Sequence, residues 1–172
     1  VIVNFDECFD HLIGNEGGFT LNPKDRGNWT TGVVGQGELK GTNWGIAAAS
    51  YPEVDIKNLT KEGAKAIYLK DFWLPLGLDT APSGVRFQIF DSAVNHGIKR
   101  AVKLSQAALG LVVDGVIGPK TFTAIQKATP LPFVLSFNAY RLKYYTSLES
   151  FVDFGKGWVN RVALNQLIAA SE

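Results

Sequence analysis

Between residues 27 and 45 the chain carries Gly27, Gly32, Gly35, Gly37, Gly41 and Gly45, with Thr, Asn and Trp among them. Each such glycine opens left-handed backbone conformations and weakens a helix by about 1 kcal/mol relative to alanine. No helix can be sustained through six of them. Val33-Val34 is the only short apolar pair in the region, so Phe19 to Gly45 is predicted as loops around a small twisted hairpin. The pattern on either side is helical. Phe5, Cys8, Phe9 and Leu12 fall at i, i+3, i+4 and i+7, one buried stripe of a first helix that stops near Gly14 to Gly18. Leu59 and Thr60 read as a staple and N-cap before a helix from Lys61 to Phe72.

The second half continues in the same way. Ser83 is predicted to cap a helix through Phe87, Phe90, Ala93 and Val94, and Lys99 to Leu109 forms another that Gly110 stops. Pro119 suits the first helical position of a segment through Ile125 and Ala128. Pro130 and Pro132 are expected to break the chain before a long helix from Phe133 to Leu148. Gly155 and Gly157 are expected to interrupt again before a last amphipathic helix from Trp158 to Ala169. The fold class is mainly α with one small β element near the N-terminus. With 172 residues, 46% of them hydrophobic, the chain can bury one ordinary domain core, and no repeat or linker divides it.

Composition narrows the chemistry. Seventeen Lys and Arg against 16 Asp and Glu give a net charge of +1, which argues against nucleic acid as the main partner. The longest apolar run, Ala107 to Val113, is far below the roughly 20 residues of a membrane span. Stable membrane insertion is therefore not expected. Cys8 alone cannot form an internal disulfide, and with only His11 and His96 beside it a typical structural zinc site lacks ligands. No metal or organic cofactor is expected, and a monomer is. Val1 to Asp10 lack the basic and continuously apolar stretches of a signal peptide, although the absence of Met leaves room for a trimmed leader.

What remains is carboxylate chemistry. Glu16 stands in Asn15-Glu16-Gly17-Gly18-Phe19, where the chain leaves an apolar helix for a glycine-rich loop. Partial desolvation there would raise its pKa and keep it protonated near neutral pH, as a general acid for glycosidic cleavage requires. The plain alternative is an exposed Glu at a helix end. Asp25, nine residues on, could face Glu16 across a cleft as the second carboxylate, or serve as a turn residue in Pro23-Lys24-Asp25-Arg26-Gly27.

Several motifs together resemble one family. Glu16-Gly17-Gly18-Phe19, Asn22-Pro23-Lys24-Asp25-Arg26-Gly27 and Gly41-Thr42-Asn43-Trp44-Gly45-Ile46 resemble the signature of the glycoside hydrolase family 108 muramidases. Phe90-Asp91-Ser92-Ala93-Val94-Asn95-His96-Gly97 is similar to that family's mid-domain helix. Val113-Asp114-Gly115-Val116-Ile117-Gly118-Pro119-Lys120-Thr121 is similar to its peptidoglycan region, and Gly157-Trp158-Val159-Asn160-Arg161-Val162 to its C-terminal segment. The order is kept over nearly the whole chain. One departure stands out: Asn28 to Lys40 intervene where family members run almost directly from the Asp turn into the Thr segment.

The resemblance implies a lysozyme-like α+β fold, with a small N-terminal β-hairpin lobe and a helical C-terminal lobe. It implies one muramidase domain over 1–172, its catalytic part at about 1–80 and a helical peptidoglycan-domain-like part at 81–172. Glu16 would be the proton donor, Asp25 the second carboxylate, and Thr42 (with Thr30 and Thr31 as alternatives) the residue that orients water. Asn43, Trp44, Asp91 and Asn95 would line the glycan cleft, although Trp44 also suits a lobe core and Asp91 could simply bond Asn95 one helical turn on. His96 and His11 read as helix-end and packing residues, Cys8 as core, and Asp114-Gly115 as either a tight turn or a wall contact.

The partner is then peptidoglycan, cut between N-acetylmuramic acid and N-acetylglucosamine. A carboxyl separation of about 5–5.5 Å would mean retention, and about 6.5–9.5 Å inversion, to which kinship with phage-type lysozymes leans. The implied setting is a phage or prophage endolysin, held in the host cytoplasm until a holin releases it to the periplasmic wall. A secretion-associated bacterial muramidase, a lytic transglycosylase and a non-catalytic wall-binding module are the alternatives.

Overall fold

The computed structural model describes residues 4–14 and 18–170. Among them the chain is mostly helical, with seven α-helices and one two-stranded antiparallel sheet, as a lysozyme-like fold requires. It packs as two compact units, one of residues 1–8 with 71–172, the other of residues 9–70.

Helix α1 (Phe5–Ile13) starts on a reciprocal cap. The Glu7 amide donates to Asn4 Oδ1 at 2.9 Å while the Asn4 amide donates to the Glu7 carboxylate at 3.3 Å. Of the predicted stripe, Phe5, Cys8 and Phe9 are buried and Leu12 is partly so. The helix stops at Gly14, whose φ of +57° is the left-handed conformation such a stop uses.

In the unit of residues 9–70, strands β1 (Thr42–Asn43) and β2 (Ile46–Ala47) form the hairpin. Its two-residue turn, Trp44-Gly45, has positive φ at both positions (51° and 75°), the primed geometry that matches strand twist. A side chain at Gly45 would collide with the Tyr68 hydroxyl, so only glycine fits. The hairpin thus lies later than Val33-Val34, and both valines are exposed. Residues 28–40 instead form a two-legged excursion: Trp29 bridges Leu39, and the Thr30 amide donates to the Glu38 carbonyl at 2.9 Å. Helix α2 (Lys61–Tyr68) begins as predicted, Thr60 Oγ1 accepting the Gly63 amide at 3.0 Å. A π-type turn, Leu69–Trp73, follows it. Phe9 packs on Tyr68 at 5.5 Å, with Ile46, Ala48, Ile56 and Ala64 buried in the same unit.

The other unit is built from α3 (Ser83–His96), α4 (Ile98–Ala108), α5 (Pro119–Gln126), α6 (Pro130–Thr146) and α7 (Phe151–Ala170). Phe5, Trp73 and Phe90 meet edge to face at 5.2–5.8 Å in its core. Three boundaries differ from expectation. Ser83 is the first helical residue, not the cap, because Pro82 holds the extended cap position (φ −57°, ψ 148°). Pro130 and Pro132 lie within the first turn of α6, where the missing N–H groups have no helical acceptor to lose. Gly155 and Gly157 lie inside α7; Gly155 is buried because its missing side chain makes room for the Phe151 ring, which a Cβ would approach to 2.7 Å.

A polar spine joins α3, α6 and α7. Gln88 and Asp91 on α3, Asn138 and Arg141 on α6, and Asn165 on α7 are all at most 3% exposed. Arg141 Nη2 lies 2.6 Å from Asp91 Oδ2, and Arg161 Nε donates to Oδ1 at 2.8 Å. Asn165 Nδ2 also donates to Oδ2, while Gln88 receives Asn138 Nδ2 and donates to the Asn165 carbonyl. Burial alone would push the Asp91 carboxyl up; the Arg141 and Arg161 charges outweigh it and hold it below the usual value. Arg141 Nε also donates to the Tyr145 hydroxyl at 2.9 Å. That hydroxyl also meets His96 Nε2 at 2.7 Å, and with His96 neutral it can give its own proton to that nitrogen, the ring then carrying its proton on Nδ1.

Burial, then Arg141, lowers the His96 pKa from 6.5 to about 4. The folded state thus binds fewer protons than the unfolded chain across that window, and stability falls as pH drops from 6.5 toward 4. Denaturant midpoints measured over this range should decline more steeply for the parent than for His96→Gln, whose amide keeps an acceptor without titrating; equal slopes would contradict the assignment.

Candidate active site

Glu16 lies outside the described residues, as do Asn15 and Gly17. The other expected site residues of the 9–70 unit fall on one short, densely bonded structure. Asn22-Pro23-Lys24-Asp25 turns sharply, the Lys24 amide donating to Asn22 Oδ1 and the Asp25 amide to the Asn22 carbonyl. Asp25 then caps the 3₁₀ turn Arg26–Asn28, its Oδ1 accepting the Gly27 amide at 2.8 Å. It is an exposed carboxylate on a fixed backbone, so its turn role leaves the rest of the carboxyl facing solvent.

Asn28, which sequence reading treated only as the start of the intervening stretch, is the centre of this structure and is fully buried. Its Nδ2 donates to the Asn22 carbonyl at 3.1 Å, and its Oδ1 accepts the Thr42 hydroxyl at 2.6 Å. Its carbonyl receives both the Lys40 and Gly41 amides at 3.0 Å. Because the side-chain nitrogen is committed to Asn22, the oxygen must face Thr42, and an amide oxygen cannot donate. The Thr42 proton therefore points at Asn28, which leaves Thr42 Oγ1 its lone pairs as an acceptor. Thr30 and Thr31 are committed elsewhere: Thr30 Oγ1 accepts the Glu38 amide, and Thr31 Oγ1 donates to the Gln36 carbonyl. An Asn whose side chain is buried within a run of turn residues is not marked in the sequence by any periodicity.

Asn43 and Trp44 converge on one segment. Asn43 Nδ2 donates to the Ile56 and Leu59 carbonyls at 3.0 and 3.1 Å, and Trp44 Nε1 donates to Leu59 at 3.1 Å. The Tyr68 hydroxyl donates to the Trp44 carbonyl. Trp44 keeps part of its ring exposed, whereas Asn43 is 6% exposed with its amide donors used internally. Expected at a glycan surface, Asn43 instead ties the hairpin to residues 56–59. The same correction applies to Asp91, in the other unit: 1% exposed, it is held by two arginines rather than offered to a sugar. Exposed Asn95 donates to the Asp91 carbonyl at 2.6 Å, one turn back on α3.

A groove of about 480 Å³ opens on the 9–70 unit, with Phe19, Leu21, Leu39 and Ile56 as its apolar surface and Glu38, Lys40, Glu53, Asp55 and Lys57 around them. Apolar faces beside a few placed polar groups are what a carbohydrate needs for ring packing and hydroxyl recognition. Glu38 to Lys40 come from the intervening stretch, which therefore shapes this groove; Lys40 is fixed by the Pro52 carbonyl at 2.7 Å. Among the described residues no group of three or more His, Cys, Asp and Glu could hold a metal ion.

Asn28→Ala should lower stability by about 1–3 kcal/mol in denaturant titration, since it removes the buried amide that bonds both the Thr42 hydroxyl and the Asn22 carbonyl. The combined Asn28→Ala, Thr42→Val variant should cost less than the two single changes added together; strict additivity would show that the pair is not coupled.

The model of the family "Glycosyl hydrolase 108" matches residues 9–97, and that of the "Predicted Peptidoglycan domain" matches residues 100–163. The solved structure of Brucella abortus SagA is similar at 32% identity and a TM-score of 0.80, over 97% of this chain and 94% of that one. No curated protein matches the chain. Family model and structural likeness together leave one assignment: the chain belongs to the glycosyl hydrolase 108 family, as a glycoside hydrolase acting on peptidoglycan.

Proposed function

We propose that the protein is an N-acetylmuramidase that hydrolyses the β-1,4 bond between N-acetylmuramic acid and N-acetylglucosamine, with Glu16 as general acid. The observation that carries this is the family match over residues 9–97, the span in which Glu16, Asp25 and Thr42 lie. Glu16 would protonate the leaving oxygen while Asp25 stabilises the oxocarbenium-like charge or takes a proton from water. Asp25 is suited to that work because the Gly27 amide fixes one oxygen while the residue as a whole is exposed. Thr42 would receive a hydrogen bond from the attacking water, the one role left to a hydroxyl whose proton is committed to Asn28. The exposed part of the Trp44 ring offers a face for a sugar, and Asn43 and Asn28 act as positioning residues behind it. Inversion follows if water stands between the two carboxyls.

The setting we favour is an endolysin that waits in the host cytoplasm and reaches the wall through a holin. The likeness to a protein of Brucella abortus supports a second setting, a bacterial muramidase that remodels the wall. A holin gene beside this one would support the first.

Glu16→Gln should abolish release of reducing ends from purified peptidoglycan while the circular dichroism spectrum stays that of the parent; near-parental release would remove Glu16 from the mechanism. Mass spectrometry of the parent's products should find reducing muramic acid ends. Products ending in 1,6-anhydro rings would mean transglycosylation instead.

A further inference from the structure

The near-neutral total conceals a separation of charge. Of the 17 Lys and Arg and 16 Asp and Glu, residues 92–148 hold seven cations and one acid, Asp114; the rest of the chain holds ten cations and fifteen acids. Arg141 is buried against Asp91, which leaves six cations of that segment outside the polar spine. Four of them gather around one feature of the 71–172 unit.

That feature is the loop between α4 and α5. Buried Gln106 pins it from beneath, Nε2 donating to Asp114 Oδ1 at 2.7 Å and Oε1 accepting the Gly115 amide at 2.8 Å. Asp114 Oδ1 also accepts the Val116 amide, so the segment's single acid is turned into its own loop. These two bonds, Val116 first, hold its carboxyl below the usual range. The Asp114-Gly115 turn is thus a structural one. Its outer side is crossed by lysine: a Cβ at Gly115 would lie 3.0 Å from the stems of both Lys99 and Lys103. Lys120 in the first turn of α5 and Lys127 just past its end flank an open groove of about 490 Å³ whose remaining walls are Leu111, Pro119, Thr123 and Ala124. Val112, Val113 and Val116 project from the loop, Val112 with 82% of its surface exposed. None of the four lysines has an ion-pair partner among the described residues.

An apolar groove flanked by Lys120 and Lys127, beside a loop that the Lys99 and Lys103 stems cross, fits a ligand that alternates small apolar groups with carboxylates. Peptidoglycan supplies that chemistry in its peptide stems, where alanine methyls alternate with free carboxylates, and not in its sugar rings. We propose that the α4–α5 face is a docking surface for the carboxylate-bearing peptide stems, carried by residues other than those assigned to bond cleavage. The proposal rests on peptidoglycan being the substrate, within the region that matches the peptidoglycan domain at 100–163, but not on the role of Glu16. Long-range attraction to the wall then comes from one face even though the whole molecule is almost neutral.

The test is co-sedimentation with Gram-negative sacculi, which carry no teichoic acid phosphates, using Glu16→Gln protein at low temperature so that the polymer stays intact. Binding should weaken steeply as salt rises from roughly 50 to 300 mM, as the screening length shrinks. Replacing Lys99, Lys103, Lys120 and Lys127 together by Gln should weaken it about tenfold or more, and replacing them by Arg should preserve it. Sacculi whose carboxyls have been amidated with carbodiimide should bind the parent as poorly as native sacculi bind the Gln variant. With Glu16 intact, the Gln variant should cleave soluble, peptide-free glycan strands at the parental rate. Parental binding by the Gln variant, undiminished binding to amidated sacculi, or slowed cleavage of peptide-free glycan would each overturn the proposal. Retained cleavage by Glu16→Gln would instead strike the catalytic assignment and leave these binding results standing.

Discussion

The Asp91 carboxylate is the point on which the helical unit depends. It is buried on α3, and three donors from two other helices close on it: Arg141 from α6, Arg161 and Asn165 from α7. Removing a charge from water costs several kcal/mol, so an ion pair of this kind adds little net stability over a packed apolar cluster. What it imposes is register. Arg141 can meet Asp91 only if α6 and α3 lie at one relative rotation and translation, and Arg141 then fixes Tyr145, which fixes His96 at the end of α3. Loss of one partner would leave the others as buried, uncompensated charge, which is why the cost of breaking such a group, about 3–5 kcal/mol, exceeds the benefit of having it.

The 9–70 unit uses neutral hydrogen bonds for the same purpose. Its sheet has only two residues per strand, far too little for independent stability. Asn28 and Asn43 substitute for the missing ladder. Asn28 joins the Asn22–Asp25 turn to β1, and Asn43 joins β1 to residues 56–59, so both β1 residues are anchored by a side-chain amide in addition to their pairing with β2 and the Thr20 bridge. The consequence is chemical as well as mechanical. A rigid amide decides which way the Thr42 hydroxyl points, and Asp25 inherits its position from the same turn.

Where the sequence was legible, a residue's role followed from local geometry. The first stripe of Phe5, Cys8 and Phe9, the Thr60 cap and the Pro119 start all express helix rules that act within four residues. Pro130, Pro132 and Gly155 misled because the same residue type is permitted in a first turn, or inside a helix facing a bulky ring, and only tertiary packing selects between these; exposed Gly157 is carried along in the same helix. Asp91 and Asn43 were read as surface polar groups beside conspicuous aromatics. A clue to Asp91 was present: Gln88 and Asp91 stand three apart in α3, where Val85, Phe87, Ile89 and Phe90 demand burial almost all round. Polar residues at helical spacing inside an all-buried helix have to find polar partners within the fold. Asn28 carried no such clue, since its partners, Asn22 and Thr42, lie in irregular backbone and in a strand of two residues.

Net charge was the least informative number in the sequence, and its distribution the more physical one. A hydrolase that works with carboxylates on an anionic polymer has conflicting electrostatic needs. Its proton donor must resist ionisation, which a surrounding surplus of acids favours, while the polymer must be attracted, which needs cations. Fifteen acids against ten cations outside residues 92–148, and seven cations against one acid within them, meet both needs by assigning them to different stretches of chain. A sum near zero is therefore compatible with a local surplus of cations, and the proposed attraction to the wall would follow from where the lysines stand rather than from how many the chain has.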